Sequence, residues 1–211
     1  MIYLLSPEAK KGCIHLPMIT FNTFETTIIF DTYDILMFTS KQALVSIESI
    51  NIDWKKIPSI AIGNATAKQI EKYGGTVAYM PERFYAKNLT KDIINKFKHK
   101  NILYLRPKEV SFDSKGFLAS KDIVLHEKII YETSCITYSQ EDKPKKSAII
   151  IFTSPSTIRC FFKNFTWDKS YHAIVIGEAT KKHLPKNVKV SVANEPSIEA
   201  CIKKAKSLME A

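Results

Sequence analysis

With 211 residues, 45% of them hydrophobic and 25% charged, the chain has material for two globular domains of about 100 residues each. A net charge of +10 suits an anionic partner, but no run of Lys, Arg and aromatic residues forms a nucleic-acid motif. No apolar run approaches membrane-spanning length and the first residues lack a signal-peptide pattern, so a cytoplasmic protein with no nucleic-acid or membrane partner is expected.

In chain order, Ile2-Tyr3-Leu4-Leu5 reads as a buried strand and leads into Ser6-Pro7-Glu8. Residues 16–24 follow as an extended segment of alternating type. Residues 35–38 form the next strand, then Phe38-Thr39-Ser40, a helical stretch, a strand, and Ile62-Gly63-Asn64-Ala65-Thr66. A helix from Thr66 stops at Gly74-Gly75. Residues 77–80 read as a strand and residues 89–97 as an amphipathic helix. Ile102-Leu103-Tyr104-Leu105, followed by Arg106-Pro107-Lys108-Glu109, repeats the N-terminal phrase. Residues 129–133 are strand-like, and residues 141–147 form a charged turn.

The stretch from Ile151 then repeats the one from Met37. Phe152-Thr153-Ser154-Pro155-Ser156 answers Phe38-Thr39-Ser40, and Gly177-Glu178-Ala179-Thr180 answers Gly63-Asn64-Ala65-Thr66 at the same separation. The two windows share ten identities in thirty-four ungapped positions, which marks an internal duplication. Residues 188–192 and a helix over 197–209 repeat the ending of the first copy.

Strand, loop and helix in this order imply parallel α/β architecture. The polar loops fall where strand C-termini meet helix N-termini. Their hydroxyls either cap helices or, with free backbone N–H groups, hold anions. The C-terminal half has no strand equivalent to 102–105, so the N-terminal strand is expected to complete its sheet. The expected domains are 1–17 with 137–211, and 25–128, joined by a two-stranded β-ladder of 18–24 and 129–136. Facing strand-end loops would form a cleft for a large, multiply anionic molecule.

The four cysteines, Cys13, Cys135, Cys160 and Cys201, are widely spaced and read as reduced thiols. The five histidines have no metal-ligand spacing, and neither a Walker motif nor G-x-G-x-x-G occurs. No metal and no cofactor are therefore expected.

Taken together, Phe38-Thr39-Ser40, Gly63-Asn64-Ala65-Thr66, Tyr131-Glu132-Thr133, Phe152-Thr153-Ser154-Pro155-Ser156 and Gly177-Glu178-Ala179-Thr180 resemble the uroporphyrinogen-III synthase family. The resemblance spans nearly the whole chain. It implies two α/β lobes on a two-stranded linker, a monomer, and cofactor-free cyclisation of hydroxymethylbilane with loss of water and inversion of ring D. It also implies transient hand-over of that substrate from hydroxymethylbilane synthase. Tyr131 matches the family's linker tyrosine and is the expected catalytic residue, a general acid for the departing hydroxyl, while Thr180 matches a cleft threonine and belongs to the expected substrate-binding set. Thr39, Ser40, Gly63, Asn64, Ala65, Thr66, Arg106, Thr153, Ser154, Pro155, Ser156, Gly177, Glu178 and Ala179 complete the expected substrate-binding set. Ser6 departs from the arginine of many relatives, with Lys10 or Lys11 as candidate replacements for its charge. The competing readings are a non-catalytic two-lobe sensor of an anionic metabolite and a phosphosugar-binding enzyme.

Overall fold

A computed structural model describes residues 1–209. In chain order the elements are β1 (Ile2–Leu4), β2 (Ile14–His15), β3 (Ile19–Thr23), β4 (Ile35–Phe38), α1 (Lys41–Ile50), β5 (Ser59–Ala61), α2 (Asn64–Lys72) and β6 (Val77–Tyr79). Then come α3 (Ala86–Lys96), β7 (Ile102–Pro107), α4 (Ser114–Ala119), β8 (Leu125–Cys135), β9 (Ile149–Phe152), α5 (Pro155–Asn164), β10 (His172–Val175), α6 (Glu178–Lys181), β11 (Val190–Val192) and α7 (Ile198–Ser207). The chain divides into two compact units, one of Met1–Thr20 with Ser134–Ala211 and one of Phe21–Thr133. Residues 210 and 211, the end of the expected C-terminal domain, lie outside the described residues.

The continuous unit carries a six-stranded sheet in the order β3-β8-β7-β4-β5-β6. β4 pairs in parallel with β5 and β7, and β7 with β8. A central parallel strand is covered on both faces and so is apolar at every position. β4, Ile-Leu-Met-Phe, is accordingly buried throughout. Its side chains alternate between two cores. Leu36 and Phe38 pack with Leu44, Ile47, Trp54 and Ile130, while Ile35 and Met37 pack with Ile60, Leu89, Ile93 and Tyr104.

The discontinuous unit carries a five-stranded sheet in the order β11-β10-β9-β1-β2. β9, Ile-Ile-Ile-Phe, is its central strand, fully buried and parallel to both β1 and β10. The N-terminal strand thus pairs with the C-terminal half, in the register Leu4 to Ile151.

Between Met18 and Phe24 the chain runs antiparallel to residues 136–130. Ile136 N–H donates to the Met18 carbonyl, and Phe24 N–H to the Ile130 carbonyl. The unit boundaries fall within these two neighbouring strands, β3 and β8.

Local chemistry sets the helix ends. Ser40, Ser154 and Ser197 cap α1, α5 and α7 by accepting from the N–H groups of Ala43, Thr157 and Ala200. Ser154 and Thr157 form a reciprocal capping box, with Pro155 in the first turn. After α2, Gly74 adopts φ +85°, the left-handed conformation glycine reaches without a Cβ penalty. At Gly75 a Cβ would sit 2.6 Å from the Trp54 ring, so the ring closes directly onto the backbone.

The reading of four reduced thiols is corrected in one pair. Cys135, at the end of β8, is joined to Cys160 on α5 by a disulfide with a Cα–Cα separation of 5.2 Å. A separation of 25 residues carries no pairing signal in sequence; the juxtaposition arises only when β8 and α5 fold together. Cys13 and Cys201 are free. Under oxidising conditions Cys135→Ser should cost about 2–4 kcal/mol through the freed loop entropy. Thermal denaturation with and without dithiothreitol checks this: the parent chain should lose the same increment on reduction and the variant none. A parent chain indifferent to reductant would show that the two thiols are not joined.

Candidate functional site

In the continuous unit, β4 delivers Thr39 and Ser40 at its carboxyl end, both half-buried. Each meets a tyrosine hydroxyl. Thr39 Oγ1 lies 2.7 Å from Tyr104 Oη, and Ser40 Oγ lies 2.8 Å from Tyr131 Oη. Either member of each pair can donate. Ser40 Oγ also accepts the Ala43 N–H at 3.1 Å. The two tyrosines come from different strands and opposite faces of the sheet. Tyr104 lies in the core with Ile35 and Met37, and Tyr131 in the core with Leu36 and Phe38.

Both tyrosines are only 3% exposed. Burial pushes the Tyr104 hydroxyl up to about 12, against the acidifying bond to Thr39, with the Tyr131, Arg106 and Glu127 side chains also acting on it. Burial likewise raises Tyr131, opposed by its bond to Ser40. Both are neutral near pH 7 and available as O–H donors.

The second loop of this unit begins at Gly63, the N-cap of α2, with no side-chain cap. Asn64 and Ala65 are exposed, while Thr66 is buried and donates its N–H to the Gly63 carbonyl. The first amides of a helix have no intrahelical acceptor, so the uncapped N-terminus of this nine-residue helix is available to an anion. The Phe84 ring closes over Gly63, where a Cβ would meet it at 3.0 Å. Arg106 is largely occupied. Its Nη1 donates to the Pro107 and Lys108 carbonyls at 2.8 and 3.0 Å. Its Nε lies 3.2 Å from Glu127 Oε2 as an ion pair, off the line of a hydrogen bond.

The discontinuous unit repeats the layout with different details. Thr153 and Ser156 are half-buried and Pro155 is exposed. Ser154 is committed to capping Thr157. Gly177 is the N-cap of α6, a helix of only four residues, and nothing lies within 4 Å of where its Cβ would be. Glu178 and Ala179 are exposed, Thr180 is buried, and Glu178 pairs with Lys181. Ser6 is buried and accepts from the Glu8 N–H, while Lys10 pairs with Glu199 at 2.8 Å. Among the described residues no group of three or more His, Cys, Asp or Glu converges as a metal site, and no helix is long and apolar enough to cross a membrane.

Each unit thus carries polar strand-end loops with an uncapped, glycine-led turn, and the continuous unit adds a buried tyrosine on β8. A protein-family model described as uroporphyrinogen-III synthase HemD matches residues 11–203. The chain belongs to the uroporphyrinogen-III synthase family. Its fold is similar to that of uroporphyrinogen-III synthetase from Helicobacter pylori 26695, with a TM-score of 0.83, 26% identity and 98% of each chain covered. A mutant uroporphyrinogen-III synthase from Thermus thermophilus shares the fold at TM-score 0.61 and 9% identity, over 99% of this chain and 98% of that one. No curated protein matches the chain. The chain is accordingly an enzyme, a cyclising hydro-lyase of tetrapyrrole synthesis.

Within this synthase, sequence reasoning overlooked Tyr104, Phe84 and Thr157. For Tyr104 a signal existed: the repeated phrase reads Leu4 in its first copy and Tyr104 in its second. The raised phenol has a consequence for stability. Between pH 10 and 12 a tyrosine of the unfolded chain ionises while folded Tyr104 stays neutral. The unfolded state then binds fewer protons, so stability falls as pH rises through this window. Burial raises Tyr171 to about 12 as well, so urea unfolding at stepped pH should show that decline and Tyr104→Phe should make it shallower without abolishing it; an equal slope in the variant would exclude Tyr104 as a contributor.

Proposed function

We propose that the chain cyclises hydroxymethylbilane at its strand-end loops, with Tyr131 as the general acid. The observation that carries this reading is the Tyr131–Ser40–Ala43 chain of hydrogen bonds. Ser40 Oγ accepts the Ala43 N–H, so its own proton is free for Tyr131 Oη. With that lone pair satisfied, the Tyr131 O–H is left to donate to the departing hydroxyl of the substrate. The C–O bond breaks with its electron pair on oxygen, water leaves, and an azafulvenium cation remains. The substituted carbon of ring D attacks that cation to give the spiro intermediate, from which ring D is inverted.

The cation needs no protein nucleophile. Holding the substrate's two ends together supplies several kcal/mol of the barrier, by order of magnitude. Acetate and propionate groups are suited to the donors of both units: the Thr39 and Ser40 hydroxyls with the amides opening at Gly63-Asn64-Ala65-Thr66, and the Thr153, Ser154, Ser156 and Thr180 hydroxyls with the amides of Gly177, Glu178 and Ala179, Pro155 shaping its loop without a donor of its own. Charge-assisted bonds to carboxylates are the stronger kind. The net charge of +10 favours encounter with a polyanion. We further propose a cytoplasmic monomer that receives its substrate from hydroxymethylbilane synthase.

The test couples that deaminase to the protein, oxidises the products and separates the porphyrin isomers. Mostly type III is expected, against type I in the blank; type I alone from folded protein would overturn the reading. Tyr131→Phe should lower kcat on the order of a hundredfold while still yielding type III. Ser40→Ala should lower it less and also cost about 1 kcal/mol of stability through the lost cap. Undiminished kcat in Tyr131→Phe would remove it from the chemistry.

A further inference from the structure

The duplication supplies an internal comparison for Tyr104. In one sheet Met37 of β4 pairs with Tyr104 of β7. In the other, Ile151 of β9 pairs with Leu4 of β1. Met37 and Ile151 are equivalent positions of the repeat, so Tyr104 and Leu4 occupy the same place in the two sheets. Leu4 is completely buried there and fills its core without a polar atom. Packing at this place is therefore met by leucine. A buried hydroxyl adds a desolvation cost that packing does not require, and here it meets one partner, Thr39 Oγ1 at 2.7 Å.

We propose that Tyr104 is a positioning residue of the synthase, which fixes the Thr39 hydroxyl and turns its proton toward a substrate carboxylate. The inference rests on the reading above that Thr39 touches substrate. The phenol is almost fully buried and either hydroxyl of the pair can donate; in the proposed arrangement the Tyr104 proton goes to Thr39 Oγ1. A hydroxyl that accepts one such bond directs its own proton elsewhere and becomes a better donor through mutual polarisation. Thr39 also follows Phe38 directly, where strand alternation puts its side chain on the Met37 and Tyr104 face while Ser40 meets Tyr131 from the other. Two adjacent loop hydroxyls are thus held separately. Ser40 serves the proton donor, and Thr39 is held for carboxylate binding by a phenol that the other unit lacks, since Leu4 stands at the equivalent strand position there.

Kinetics of Thr39→Val, Tyr104→Phe and the double variant test this, with Tyr104→Leu as the variant that copies the other unit. Thr39→Val and Tyr104→Phe should each raise KM by roughly threefold to tenfold. Both should leave kcat and the type III product close to those of the parent, as expected for loss of binding common to ground and transition states. The double variant should be no worse than Thr39→Val, since Tyr104 acts through that hydroxyl. Thr39→Ser, which restores a hydroxyl, should regain sensitivity to Tyr104→Phe. If Thr39→Val leaves KM unchanged, Thr39 is not a substrate contact and both readings fall. If Thr39→Val raises KM but Tyr104→Phe does not, or the two effects multiply in the double variant, Thr39 remains a contact and the role of Tyr104 is overturned.

Discussion

Parallel pairing of β4 with β5 and β7, and of β9 with β1 and β10, is the constraint on which the rest depends. Parallel strands all end at the same edge of their sheet, so every loop leading into a helix gathers at the carboxyl ends. The same pairing demands strands covered on both faces, which β4 and β9 meet with unbroken apolar sequence. Core and site are thus separated along each strand. The apolar segment ends at Phe38 or Phe152, and the next two residues are polar.

The two copies of this plan have diverged in how the polar residues are used. Ser40 and Ser154 both cap helices, but the Ser154 backbone N–H also donates to Thr157 Oγ1 in a reciprocal box, while the Ser40 hydroxyl meets Tyr131. Gly63 lies under Phe84, whereas Gly177 is open. The helix after the first glycine has nine residues and the second only four, so their terminal dipoles are not equivalent. Charge is less informative. Lys10, Lys56 and Lys108 are held by surface carboxylates, where ion pairs contribute little to stability. The guanidinium of Arg106, more buried than these lysines, is directed largely at its own unit.

Much of the architecture was legible because it rests on local signals. The apolar runs 35–38 and 149–152 coincide with β4 and β9, since a strand buried on both faces tolerates nothing else. The strand-end hydroxyls were readable as caps or as anion ligands, and Ser40 and Ser154 do cap their helices; Gly74-Gly75 marked the end of α2, since a helix stop has few alternatives there. Elements with weak periods were blurred. β8 runs from Leu125, earlier than the strand-like core at 129–133, because His126, Glu127 and Lys128 are polar and at most partly buried and give no apolar run to read. The short α4 was not anticipated; six residues with one buried leucine carry no readable period.

By itself the sequence determined the duplicated α/β plan, the family and the set of polar loop residues, because these depend on patterns within short windows and on their repetition. Only the tertiary structure decided which hydroxyl meets which phenol, that Arg106 turns to Glu127, and that Cys135 reaches Cys160. Those pairings join residues 65, 91, 21 and 25 positions apart. Their partners are chosen by strand order and side-chain alternation across a sheet, and neither has a local signature in the chain.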